Sequence, residues 1–95
     1  MLLGDVIANF EDSARTAEAL LALDDLALIA AIAAAAAEEE MTAGEFAMRS
    51  VGAFVDGAGD ERWLTLIGLM SRADNPGQVF LRRILSDSLA ARAAR

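Results

Sequence analysis

Asp24-Asp25-Leu26-Ala27-Leu28-Ile29-Ala30-Ala31-Ile32-Ala33-Ala34-Ala35-Ala36-Ala37-Glu38-Glu39-Glu40 decides the fold. Twelve consecutive residues, Leu26 to Ala37, carry no polar side chain, and eight of them are alanine. Alanine is the strongest helix former because it has no rotamer freedom to lose. Asp24 or Asp25 supplies a cap, so the stretch predicts a helix over about 25–40. A membrane-spanning helix needs about 20 apolar residues, and this shorter run is closed by acids at both ends, so it reads as a buried helix. Leu26, Ile29, Ala33 and Ala36 fall on one face, with Leu28 and Ile32 beside it. Beyond Ile32 every apolar side chain is small, so a neighbouring backbone is expected to cross closely, with this helix in the middle of the bundle.

The flanks carry the same punctuation. Leu3, Ile7, Phe10, Ala14, Ala17 and Leu21 alternate steps of three and four, with Val6 and Leu20 widening the stripe. This predicts an amphipathic helix over about 3–22, with Asp12-Ser13 as the place where it would break. Thr42-Ala43-Gly44-Glu45 is a capping box opening a helix over about 43–56 that buries Phe46 or Ala47, Val51, Phe54 and Val55. Gly57-Ala58-Gly59 stops it. Asp60 is read as the cap of a helix over about 60–73, carrying Trp63, Leu66, Ile67 and Met70. Asn75 then caps the last helix, about 76–91, with Pro76 at its first position and Gln78 as the box partner. The tail from Ala90 to Arg95 is expected to fray. No stretch alternates with period two, so strands are not expected. The reading is all-α, a compact bundle of five to six short helices in a single domain over 1–95.

Ninety-five residues with 56% hydrophobic content make a thin but real core, and 22 alanines account for much of that content. The absence of Cys removes disulfides and thiolate ligands, and a cytoplasmic location is expected. Met1-Leu2-Leu3-Gly4-Asp5 lacks the basic start of a signal peptide. The net charge is −7 and all eight basic residues are Arg. Residues 1–61 hold 13 acids against two Arg, whereas residues 62–95 hold six Arg against two acids. An acidic protein repels phosphate backbones, so nucleic-acid binding is disfavoured. The asymmetry suits either a polar docking surface or ordinary solvated helix faces.

Chemistry is excluded more sharply than it is indicated. Without His, Cys, Lys or Tyr, the usual general bases, thiol nucleophiles and Schiff-base amines are missing. Gly57-Ala58-Gly59 lacks the spacing of a phosphate loop. Glu38-Glu39-Glu40 fans around a helix end instead of converging on one ion, so no metal and no cofactor is expected. The candidates for an interaction surface are Trp63, Arg72, Arg82 and Arg83. Trp63 is the lone tryptophan, a residue type enriched at interface hot spots, although its spacing with Leu66, Ile67 and Met70 also suits core packing. Arg72, Arg82 and Arg83, with Arg92 and Arg95, form the basic concentration. They suit an acidic partner, a phosphate near Asn75, or ion pairs with the acidic N-terminal half.

Residues 26–55, two helices joined at Met41-Thr42, are loosely similar to the helical half of ribbon-helix-helix regulators. The preceding Glu18–Asp25 reads as helix instead of the basic strand that those proteins place in the major groove, so the resemblance assigns no DNA-contacting residue. The expected function is a non-enzymatic helical protein–protein interaction or regulatory module, docking on a protein partner or forming a homo-oligomer, away from any membrane. The alternative is a nucleic-acid-binding regulator that uses the Arg-bearing C-terminal helix or the ribbon-helix-helix-like segment.

Overall fold

Asp12 divides the N-terminal stripe in two. Its carboxylate accepts hydrogen bonds from the backbone N–H of Ala14 (2.8 Å) and Arg15 (3.0 Å), which starts a new helix. The computed structural model describes residues 3–94, and among them the chain forms six helices and no strand. They are α1 (Leu3–Ala8), α2 (Ser13–Ala22), α3 (Leu26–Glu38), α4 (Ala43–Gly57), α5 (Asp60–Ser71) and α6 (Pro76–Ala93). The all-α bundle is therefore as read, with the range 3–22 corrected to two helices. Arg95, counted among the C-terminal arginines, lies outside the described residues.

The break also resets the helical phase. Val6 and Phe10 are buried, but after residues 9–12 the buried positions become Thr16, Leu20 and Leu23. Leu21, read as part of one continuous stripe, is 65% exposed. Phe10 turns inward at the junction and stacks on Phe80 of α6, with ring centroids 5.7 Å apart and planes within 4°.

Asp25 caps α3, accepting from Leu28 N–H at 3.1 Å. The far end closes without glycine. Glu40 takes a left-handed φ of 57°, while its N–H reaches Ala37 O and the N–H of Met41 reaches Ala36 O. This is a Schellman closure made by a residue that pays a backbone penalty there. Only Ile32, Ala35 and Ala36 of α3 are buried. Leu26 and Ala33, assigned to the inward face, are exposed, and α3 packs on α4 and α6 at the side of the bundle. The expectation of a central α3 is corrected, because α4 and α6 hold the middle. α4 meets α2, α3 and α6, while α6 meets α2, α3, α4 and α5.

Thr42 and Glu45 form the complete capping box, with both reciprocal hydrogen bonds present. Gly44 lies where α4 crosses α2, and a Cβ there would run into the Ser13 carbonyl and lie 3.0 Å from Ala17 Cβ. The tightest approach thus falls at Gly44, not in the alanine tract. For α5 the cap is Gly59, with Asp60 as the first helical residue. Asn75 caps α6 as read, accepting from Gln78 N–H at 3.2 Å. The Gln78 side chain leaves the box and donates to Ala22 O (3.2 Å), closing the end of α2. The core runs through an aromatic row, Trp63–Phe54–Phe80–Phe10, which links α5, α4, α6 and the α1–α2 junction.

Candidate functional site

The four candidate residues do not share one surface. Trp63 is half-buried and meets the Phe54 ring edge-on, with centroids 4.8 Å apart, so it belongs to the aromatic row. Arg72 is exposed at the end of α5 and makes no ion pair among the described residues. Arg82 reaches from α6 across the α2–α3 turn, donating to Asp25 (2.6 Å) and to Leu23 O (3.1 Å). Arg83 lies one helical turn before Asp87 and pairs with it at 3.3 Å. The C-terminal tail is held as well. Arg92 donates to Glu38 and Glu39 at the end of α3, where carboxylates oppose the helix dipole, and α6 continues to Ala93, two residues past the end read at 91.

Arg82 and Arg92 therefore clasp the two ends of α3, which runs parallel to α6. Much of the charge asymmetry along the sequence is satisfied inside the molecule. These pairs are exposed, and such pairs contribute little stability singly. They do leave a mark on titration. The Leu28 N–H, and then Arg82, hold the Asp25 carboxyl below its ordinary 3.8. Arg49, and then Arg92, hold Glu39 below 4.5, and the Thr42 N–H does the same for Glu45. Depressed folded values stabilise the fold in full above the unfolded values, and that contribution is lost as pH falls through the folded ones. The urea midpoint should therefore hold above pH 4.5 and fall below it, and Asp25→Asn should flatten part of that fall. A midpoint with the same acid slope in both chains would show that the clasp at Asp25 carries no pH dependence.

Reading from sequence missed a groove of about 450 Å³ between α4 and α6. Its rim carries Arg49 of α4, Arg62 of α5 and Arg92 of α6. Arg49 and Arg92 lie over the Phe46 ring, at 5.5 and 5.8 Å from its centroid, and Arg62 lies over Phe54 at 4.9 Å. On its floor, the hydroxyls of Ser50 and Ser88 are 3.1 Å apart. Phe46, Ser50 and Phe54 stand four positions apart in turn, and that spacing was the available signal, since it places a serine between two aromatics on one helical face.

A second feature is apolar. Leu26 is 80% exposed, and Ala30, Ala33, Ala34 and Ala37 continue outward along α3. On α5, Leu64 (69%) and Ile67 (44%) are also exposed. Among the described residues no three His, Cys, Asp or Glu side chains form a metal-holding group, and no helix is long and apolar enough to cross a membrane. Comparison of the chain with protein-family models, curated proteins and solved structures finds no match.

Proposed function

We propose that this chain is a non-enzymatic, cytoplasmic protein–protein interaction module that docks a partner helix on the outer face of α3. The observation that supports it is the unbroken apolar surface from Leu26 to Ala37 on a helix at the side of the bundle. Surface helices normally turn polar residues to water. Single exposed apolar residues are ordinary, whereas a contiguous face marks a contact. Alanines let an incoming backbone approach closely, and exposed Leu21 and Leu26 add bulk at one end.

Charge favours a foreign partner over a second copy. Acids stand at both ends of α3, and among the described residues Asp24 and Glu40 make no ion pair. Either orientation of two α3 helices sets acid against acid, so the fitting partner is an apolar helix with basic residues at both ends. The nucleic-acid alternative draws less support, because Arg82 and Arg83 face Asp25 and Asp87.

The test is a calorimetric titration with a synthetic Leu/Ala helix bearing Lys at each end, beside light scattering of the chain alone. Binding should weaken with salt and fall about tenfold or more in Ala34→Asp, equivalent to about 1.4 kcal/mol. A dimer abolished by Ala34→Asp would replace the foreign helix with a second copy. A monomer that ignores the peptide would remove the reading.

A further inference from the structure

The groove between α4 and α6 stands apart from the α3 face, and its chemistry is that of a binding site for a small anion. The chain has 15 acids and eight basic residues, yet three of those eight gather here from three helices. Each guanidinium lies over a phenylalanine ring, a contact that holds it at the groove without using its N–H donors. Two of the three are committed elsewhere. Arg49 and Arg92 both donate to the same oxygen of Glu39, at 3.2 and 3.0 Å.

Arg62 is different. Among the described residues it makes no hydrogen bond, and its ion partner, Asp87, is 3.7 Å away. That same Asp87 oxygen is closer to Arg83, at 3.3 Å. A guanidinium has five N–H donors in a rigid fork that matches a carboxylate. Those of Arg62 stand over Phe54 at the groove wall, with no acceptor at hydrogen-bond distance among the described residues.

The geometry points to a monocarboxylate with an apolar body as the ligand of this groove, its carboxylate on Arg62 and its body against Phe54 and Ile84. Charge selects the monoanion. Arg49, Arg62 and Arg92 against Glu39 and Asp87 leave one positive charge among the lining residues, and a phosphate dianion would exceed it in a protein of net charge −7. The volume of about 450 Å³ lies within the range of small-molecule clefts. Ala53, Ile84 and Ala91 contribute apolar surface to the lining beside the Ser50 and Ser88 hydroxyls. Ser50 donates to Phe46 O at 3.0 Å, so the Ser88 hydroxyl donates to Ser50 and retains acceptor capacity. Two sources offer this chemistry: a free aliphatic or aromatic acid, and a peptide C-terminus with an apolar last residue.

Trp63, the single tryptophan, meets Phe54 on the wall that Arg62 covers and so reports on occupancy. Its fluorescence would be followed during titration with octanoate, N-acetyl-leucine, N-acetyl-leucinamide and inorganic phosphate. Both carboxylates should give a saturable change with Kd of about 1 mM or tighter, and the amide none. Arg62→Gln should weaken binding about tenfold, while Arg72→Gln leaves it unchanged. Amide shifts at Ser50, Ser88 and Arg62 in nitrogen-15 correlation spectra should track the same saturation. Arg62 is half-exposed, and an unchanged thermal melt for Arg62→Gln confirms that the lost binding is not lost folding. Tighter octanoate binding identifies a free acid, and tighter N-acetyl-leucine binding a peptide terminus. Equal binding of the amide, phosphate binding as tight as the carboxylates, an unaffected Arg62→Gln, or no saturable change would each overturn the proposal.

Discussion

Phe80→Ala is expected to remove about 3–5 kcal/mol of folding stability, the usual cost of truncating a buried phenylalanine. The ring is fully buried, stacks on Phe10, and meets Phe54 edge-on with centroids 6.4 Å apart and planes at 79°. Its loss would leave a void where α6, α4 and the α1–α2 junction meet. A chain of this length holds about 5–14 kcal/mol in total, so one substitution takes a large share. Phe54→Ala should fall in the same band, since that ring joins Trp63 to Phe80. Asn75→Ala, at the head of the same α6, removes one cap hydrogen bond and should cost about 1 kcal/mol. Urea unfolding followed by Trp63 fluorescence separates the two effects. Equal losses for Phe80→Ala and Asn75→Ala would mean that the aromatic row is not what anchors α6.

Most helix boundaries made by a side chain were legible, Asp12 being the exception because the apolar stripe runs on past it to Leu21. Thr42 with Glu45, Asn75 with Pro76, and Asp25 each act through their own atoms, so spacing alone locates them. Boundaries made by backbone geometry were harder. Glu40 ends α3 in a left-handed conformation that residue type does not advertise, and Gly59 starts α5 without a side-chain hydrogen bond. Facing was least legible in α3. With no polar residue from Leu26 to Ala37, the periodicity has no contrast, and packing on α4 and α6 alone selects Ile32, Ala35 and Ala36. In α2 the inward face was lost because four non-helical residues shift its phase.

The charge pattern misled in an instructive way. The acidic first part and basic last part look like two separate surfaces when laid out linearly. In three dimensions α6 lies along α3, and Arg82 and Arg92 close on its two ends. The arginine of greatest chemical interest is Arg62, which sequence reading passed over for its neighbour Trp63. Nothing in local spacing shows that Asp87, 25 positions away, pairs more closely with Arg83.

Gly44 and Gly52 offer a test in which helix propensity and packing have opposite signs. Both lie on α4, and replacing glycine by alanine inside a helix gains up to about 1 kcal/mol. At Gly52 a new Cβ meets nothing within 4 Å, so Gly52→Ala should gain about 0.5–1 kcal/mol. At Gly44 the Cβ would fall on the Ser13 carbonyl oxygen, with Ala17 Cβ only 3.0 Å away. Backbone cannot rotate aside as a long side chain can, so α2 itself must shift. Overpacking of this kind costs about 1–3 kcal/mol, and Gly44 sits in the first turn, where the propensity gain is small. The expected result is a net loss for Gly44→Ala, deeper for Gly44→Val. At about 4–8 °C per kcal/mol for a domain of this size, the two alanine variants should melt on opposite sides of the parent chain in a calorimetric scan. If Gly44→Ala melted as high as Gly52→Ala, α2 would have to slide across α4 freely, and the α2–α4 crossing would not fix where Thr16 and Leu20 enter the core.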